Sequence, residues 1–122
     1  DNTIIRQKWW TEEEHDFEAI GDSLGMDVVT LSSILQPPGS TVPWHHDQFF
    51  LLKKKFPDRP QPVRALMMLE DWKLGHFIQL DDHVFHHWKA GDGYIIDDEV
   101  RHLGTNAGMQ DKYTLQVSGF LK

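Results

Sequence analysis

The chain contains no cysteine. That excludes a disulfide framework and a thiolate zinc site alike, and it fits a reducing, cytoplasmic setting. Long hydrophobic runs are missing too. No stretch approaches the roughly 20 apolar residues of a membrane span, and the N-terminus has no apolar core like that of a signal peptide. Basic charge is scarce: 12 Lys and Arg stand against 19 Asp and Glu, for a formal net charge of −7. The basic footprint of a nucleic-acid binder is therefore absent, and no nucleic-acid partner is expected. The one basic cluster, Lys53-Lys54-Lys55, is short and reads as a solvated face. Neither repeats nor low-complexity tracts interrupt the chain, and 122 residues predict a single domain spanning 1–122.

What is present is punctuated by turns. Thr3 to Trp10 is apolar-rich and reads as a strand or entry segment. Thr11 followed by Glu14 has the form of a capping box, with Glu12 and Glu13 in the first turn, where the helix dipole favours carboxylates. Phe17, Ile20 and Leu24 then recur at helical spacing and Gly25 is a natural stop, so a helical segment is expected over about 11–25. Asp27 to Gln36 is β-branched and runs into the turn Pro37-Pro38-Gly39. Strands are expected over Val63–Leu69, His76–Leu80, Val84–Trp88, Tyr94–Asp97, His102–Thr105 and Lys112–Leu121, with turns at Asp81-Asp82 and Ala90–Gly93. Phe49 to Phe56 is ambiguous, a helical excursion ending before Pro57. Short strands at this spacing predict a mostly β sandwich or barrel-like core over about 27–121, with one N-terminal helix.

Eight histidines in a small acidic chain direct attention to metal, since imidazole is the commonest metal ligand. Pro43-Trp44-His45-His46-Asp47 carries a His-x-Asp pair. In an extended strand positions i and i+2 share a face, so His45 and Asp47 point together and His46 points away. A third ligand must come from another strand, and His102 opens one. About one His-x-Asp arises by chance in a chain of this composition, so context decides. Prolines and Gly39 deliver His45 to the mouth of a strand. Downstream, Gly91-Asp92-Gly93-Tyr94-Ile95-Ile96-Asp97 leads to His102. Ten residues beyond His102 come Lys112 and then Thr114, on one face of the last strand.

From about Leu35 to Phe120 these motifs resemble the double-stranded β-helix (jelly-roll, cupin-like) core of the Fe(II)/2-oxoglutarate-dependent dioxygenases. The run Gly93–Leu115 is most similar to the aspartyl/asparaginyl β-hydroxylase-like and prolyl-hydroxylase-like branches, in the compact form found among phage and marine microbes. The resemblance implies that His45, Asp47 and His102 hold Fe(II). It implies that Lys112, where the family usually places Arg, pairs with the distal carboxylate of 2-oxoglutarate, with Thr114 assisting. Lys in place of Arg lacks the bidentate fork. Arg64, at the head of an apolar strand, is a second candidate anchor for the cosubstrate. The implied activity is hydroxylation of a C–H bond on a peptidyl side chain or a small molecule, consuming O2 and releasing succinate and CO2.

Two other readings remain open. A cupin-like metal-binding or sensing domain without turnover would bind metal and form no succinate. A β-sandwich interaction module with incidental histidines would bind no specific metal. Among the remaining histidines, His76 and Gln79 lie on opposite faces of one strand, so at most one of them faces the site. His86 and His87 would point opposite ways in a strand, which speaks against a zinc site with His83. His15 is expected on the capped helix in solvent, and Trp44, Trp72 and Trp88 as core or rim packing.

Overall fold

A computed structural model describes residues 5–122. Two antiparallel sheets face each other. The larger holds, in spatial order, β1 (Arg6–Trp10), β2 (Met26–Gln36), β9 (Lys112–Leu121), β4 (Val63–Met68) and β7 (Gly93–Ile96). The smaller holds β3 (Thr41–His45), β8 (His102–Asn106), β5 (His76–Leu80) and β6 (His83–Phe85). Helix α1 (Phe17–Leu24) lies between β1 and β2 in sequence, and α2 (Phe50–Lys55) fills the ambiguous segment. The expected mostly β architecture is what forms. Among the described residues no helix is long and apolar enough to cross a membrane. Thr3 and Ile4, the start of the expected entry segment, lie outside the described residues.

Two local expectations are corrected. Thr11 does bond Glu14, with its amide and hydroxyl both donating to Glu14 Oε1 at 3.1 Å. That pair closes an isolated turn and caps no helix. Asp16 is extended (φ −80, ψ 94), which interrupts the helical path, and its carboxylate accepts the Ala19 amide at 3.0 Å as the true N-cap. His15 therefore sits in the turn before α1, edge-on to Trp10. Gly25 ends the helix in the left-handed region at φ 70, as expected. The second correction is β6, which stops at Phe85 instead of continuing to Trp88, because His87 takes φ 54 and turns the chain.

The two faces of the large sheet decide where a site can form. On its outer face Met26, Leu31, Val63, Ala65 and Val117 are buried beneath α1, against Phe17, Ile20 and Leu24. On its inner face, toward the small sheet, Leu66, Met68 and Ile96 meet Ile78, Leu80 and Trp88. The Trp72 and Trp88 indoles are kept satisfied by carbonyls of His76 and Glu70, at 2.7 and 3.1 Å. β9 inverts the usual pattern. Its polar row, Lys112, Thr114, Gln116 and Ser118, faces inward and is buried or half-buried, while its apolar residue Val117 is covered by the helix side. A polar row inside a β-sandwich costs stability unless partners meet it, and here Lys112 donates to Gln36 and Ser118 accepts from Arg64.

Gly119, near the end of β9, carries a close backbone approach. A Cβ there would stand 1.9 Å from the carbonyl oxygen of Asp27, beside the register shift in β2 between Val28 and Thr30. Backbone cannot step aside as a side-chain tip does, so Gly119→Ala is expected to destabilise the fold by about 1–3 kcal/mol. A shifted urea midpoint at unchanged slope would show it.

Candidate metal centre and adjoining cavity

His45 and His102 are direct cross-strand partners in the β3–β8 pair. The register alone therefore brings the two imidazoles together, with ring centroids 4.2 Å apart. Asp47 joins them from beyond the end of β3, in the segment leading to α2. Its Oδ1 lies 3.6 Å from His45 Nε2 and 3.7 Å from His102 Nε2. One ligand atom from each of the three lies within 4.8 Å of the others, and this is the one such group of three or more among the described residues. The expected triad is thus assembled, although Asp47 reaches it from a loop and not from a strand.

The imidazoles are set up as ligands by backbone carbonyls. His45 Nδ1 donates to Pro43 O at 2.8 Å and His102 Nδ1 to Val100 O at 3.1 Å. With each Nδ1 carrying the proton, each Nε2 lone pair faces the carboxylate. Burial holds the pKa of His102 below the ordinary histidine value, against the opposing pull of its Val100 bond and of Asp47. The neutral ring that metals bind is therefore the favoured form. Asp47 Oδ2 is buried with no hydrogen-bond partner. Two imidazole Nε2 atoms and a carboxylate that keeps one oxygen unpartnered thus converge at one place, a donor set that fits a divalent ion.

Beside the two histidines opens a cavity of about 80 Å³ that runs to Lys112. Ile34, Val42, Leu66, Ile78 and Leu103 form its apolar walls, and Gln36, Thr114 and Gln116 its polar ones. Lys112 is 2% exposed, and among the described residues no carboxylate pairs with it. Its ammonium donates to Gln36 Oε1 at 2.8 Å and lies 3.5 Å from Thr114 Oγ1. Burial pushes its pKa down to about 8. Gln36 is the cross-strand partner of Lys112, and its own amide donates to Gly104 O at 3.0 Å. Gly104 lies close to the ammonium: a Cβ there would stand 3.6 Å from Lys112 Nζ, in ordinary contact. Gln36 and Gly104 were not legible as site residues, since only the β2–β9 and β3–β8 registers bring them here.

Arg64 goes elsewhere. It is absent from the cavity wall, and its Nη1 pairs with Asp47 Oδ1 at 3.0 Å. His76 is also outside the cavity, donating Nε2 to Gln110 O at 2.8 Å, and burial lowers its pKa. Gln79 turns outward to Asp81 O. His86 and His87, expected to diverge, converge with Nδ1 atoms 2.5 Å apart, because His87 has left the strand; His87 stacks on Trp72. Trp88 belongs to the core, Trp72 packs against it, and Trp44 is exposed.

No protein-family model matches the chain, and no curated protein matches it in sequence. Solved structures do. A prolyl-4-hydroxylase of Pseudomonas putida superposes with a TM-score of 0.69 at 19% identity, over 98% of this chain and 73% of that one. A predicted oxalate decarboxylase of Thermotoga maritima superposes at 0.60 and 18%, over 96% and 81%. A double-stranded β-helix protein of Klebsiella pneumoniae superposes at 0.59 and 13%, over 100% and 82%. The fold is the double-stranded β-helix. At these identities the likeness speaks for the fold, and function rests on the site.

Proposed function

We propose that the chain is an Fe(II)- and 2-oxoglutarate-dependent oxygenase that hydroxylates a C–H bond of a peptidyl side chain or small molecule. The observation that carries this reading is the buried, unpaired Lys112 in the same cavity as His45 and His102. A buried ammonium without a counterion is costly, and the cavity joins it to the metal centre. An anion with one end at the metal and a carboxylate at the other end satisfies both. The prolyl-4-hydroxylase among the structural neighbours is consistent with this.

His45, Asp47 and His102 would hold the iron on one face, leaving its other positions open. When bound, the iron and 2-oxoglutarate supply the oxidising chemistry, in which O2 and 2-oxoglutarate give succinate, CO2 and a hydroxylated product. The chain's own work is positioning. Lys112 and Thr114 receive the distal carboxylate, and Gln36 aligns the ammonium by accepting one of its protons. The apolar walls exclude water from the reacting end. The net charge of −7 disfavours a nucleic-acid substrate, whose phosphates call for cationic contacts.

A second reading, metal binding without turnover, is favoured by one feature: Lys112 stands where a forked Arg would grip a carboxylate more firmly. Incubation with Fe(II), ascorbate and 2-oxoglutarate in air separates the two. Succinate appearing in step with 2-oxoglutarate loss, and absent in the His102→Ala variant, supports the oxygenase. Metal uptake with no succinate under any substrate mixture supports the second reading.

A further inference from the structure

Asp47 differs from its two partners in how it is held. His45 and His102 are fixed by strand register, whereas Asp47 sits beyond β3 on a segment with no sheet pairing. Left alone, its carboxylate could rotate out of the triad. Arg64 is what meets it. Arg64 and Ser118 are cross-strand partners in the β4–β9 pair, so the sheet sets their spacing. The guanidinium is then held at two points: Nε donates to Ser118 Oγ at 2.8 Å, and Nη1 reaches Asp47 Oδ1 at 3.0 Å. Phe49 packs beside it, 5.2 Å from the ring centroid, and is itself buried and locked at φ 54 just before α2. Asp47 is thus clamped between the sheet and the start of α2.

From this geometry we infer that Arg64 is a positioning residue for the metal centre, fixing the rotation of the Asp47 carboxylate so that Oδ1 stays between the two imidazoles. The inference rests on the reading of the triad as a metal site. It assigns Arg64 a task unrelated to the cosubstrate. A planar fork explains why arginine is used: one N–H group is spent on Ser118 and another on Asp47, which a single ammonium cannot reproduce with the same direction. Partners that orient a metal's ligands typically change metal affinity by about 10- to 100-fold when removed.

The test is Mn(II) binding, read by the loss of the free-ion EPR signal, together with the visible spectrum of the Co(II) form. Wild type, Arg64→Lys, Arg64→Gln, Ser118→Ala and Asp47→Ala are compared, each checked for native circular dichroism and melting. Arg64→Lys keeps the charge and should still bind Mn(II) about tenfold or more weakly, with altered Co(II) bands. Ser118→Ala should shift affinity in the same direction by less, and Arg64→Gln should resemble Arg64→Lys. If Arg64→Lys binds as wild type does, only charge matters and the positioning role is overturned. If either Arg64 variant binds more tightly, Arg64 competes with the metal for Asp47, which also overturns it. If wild type takes up no metal, or Asp47→Ala binds as well as wild type, the metal reading itself falls and the inference with it.

Discussion

Lys112→Met is expected to make the ligand-free protein more stable and to weaken 2-oxoglutarate binding severely. The ammonium is buried without a counterion, and burial lowers its pKa from 10.5 to about 8. The unfolded chain therefore holds this proton more tightly than the folded one between those two values. Stability of the ligand-free protein must then rise with pH from about 8 toward 10.5, and the penalty is present in full at pH 7. The gap between 10.5 and about 8 corresponds to about 3 kcal/mol. Methionine removes that penalty and fills similar space, but it leaves Gln36 Oε1 without its donor, which offsets about 1–2 kcal/mol. The net gain is about 1–2 kcal/mol at pH 7, and the rise in stability between pH 8 and 10.5 disappears; urea melts across that range read both. On the proposed reading, the same variant would deprive the distal carboxylate of 2-oxoglutarate of Lys112, the one Lys or Arg among the described residues that line the cavity. Breaking a buried pair from one side costs about 3–5 kcal/mol, so affinity should fall by about 10²- to 10³-fold or more while Fe(II) binding is retained.

Asp47→Ala is expected to have the opposite profile, losing the metal and with it all turnover. Asp47 supplies the only anionic donor of the triad, and two neutral imidazoles alone hold Fe(II) weakly. Wild-type protein in a 100-fold excess of metal over the dissociation constant should gain about 2.7 kcal/mol of stability by mass action. Its melting temperature should rise accordingly, whereas that of Asp47→Ala should not move with added metal. Succinate formation should be undetectable in the variant. An unchanged metal-induced shift would mean that the ion binds elsewhere.

Much of this was legible from residue pattern. The strand Lys112–Leu121 forms over the residues that its alternation marks, and Pro37-Pro38-Gly39 closes the long strand before it. His45, Asp47 and His102, which the family resemblance singled out, stand together, and Lys112 and Thr114 line the cavity beside the two histidines. The misses have physical causes. Alternation in β9 groups Lys112 with Thr114 but does not say which face is inside; the family resemblance supplied that side, and helix α1 covers the opposite, apolar face. Thr11 and Glu14 satisfy each other, so the capping pattern was real but local, and Asp16 took the cap because the backbone between them turns away. The roles of Gln36 and Arg64 depend on which residue stands across the sheet, at Lys112 and Ser118. Register between strands tens of residues apart leaves no local mark in a sequence.

The most direct test of the central claim is an anaerobic titration of the metal-free protein with Fe(II) and then 2-oxoglutarate, followed in the visible range. A metal-to-ligand charge-transfer band should form only when both are present. That band should be missing in Asp47→Ala and require far more 2-oxoglutarate in Lys112→Met. Iron uptake without any such band, in wild type at saturating 2-oxoglutarate, would contradict it.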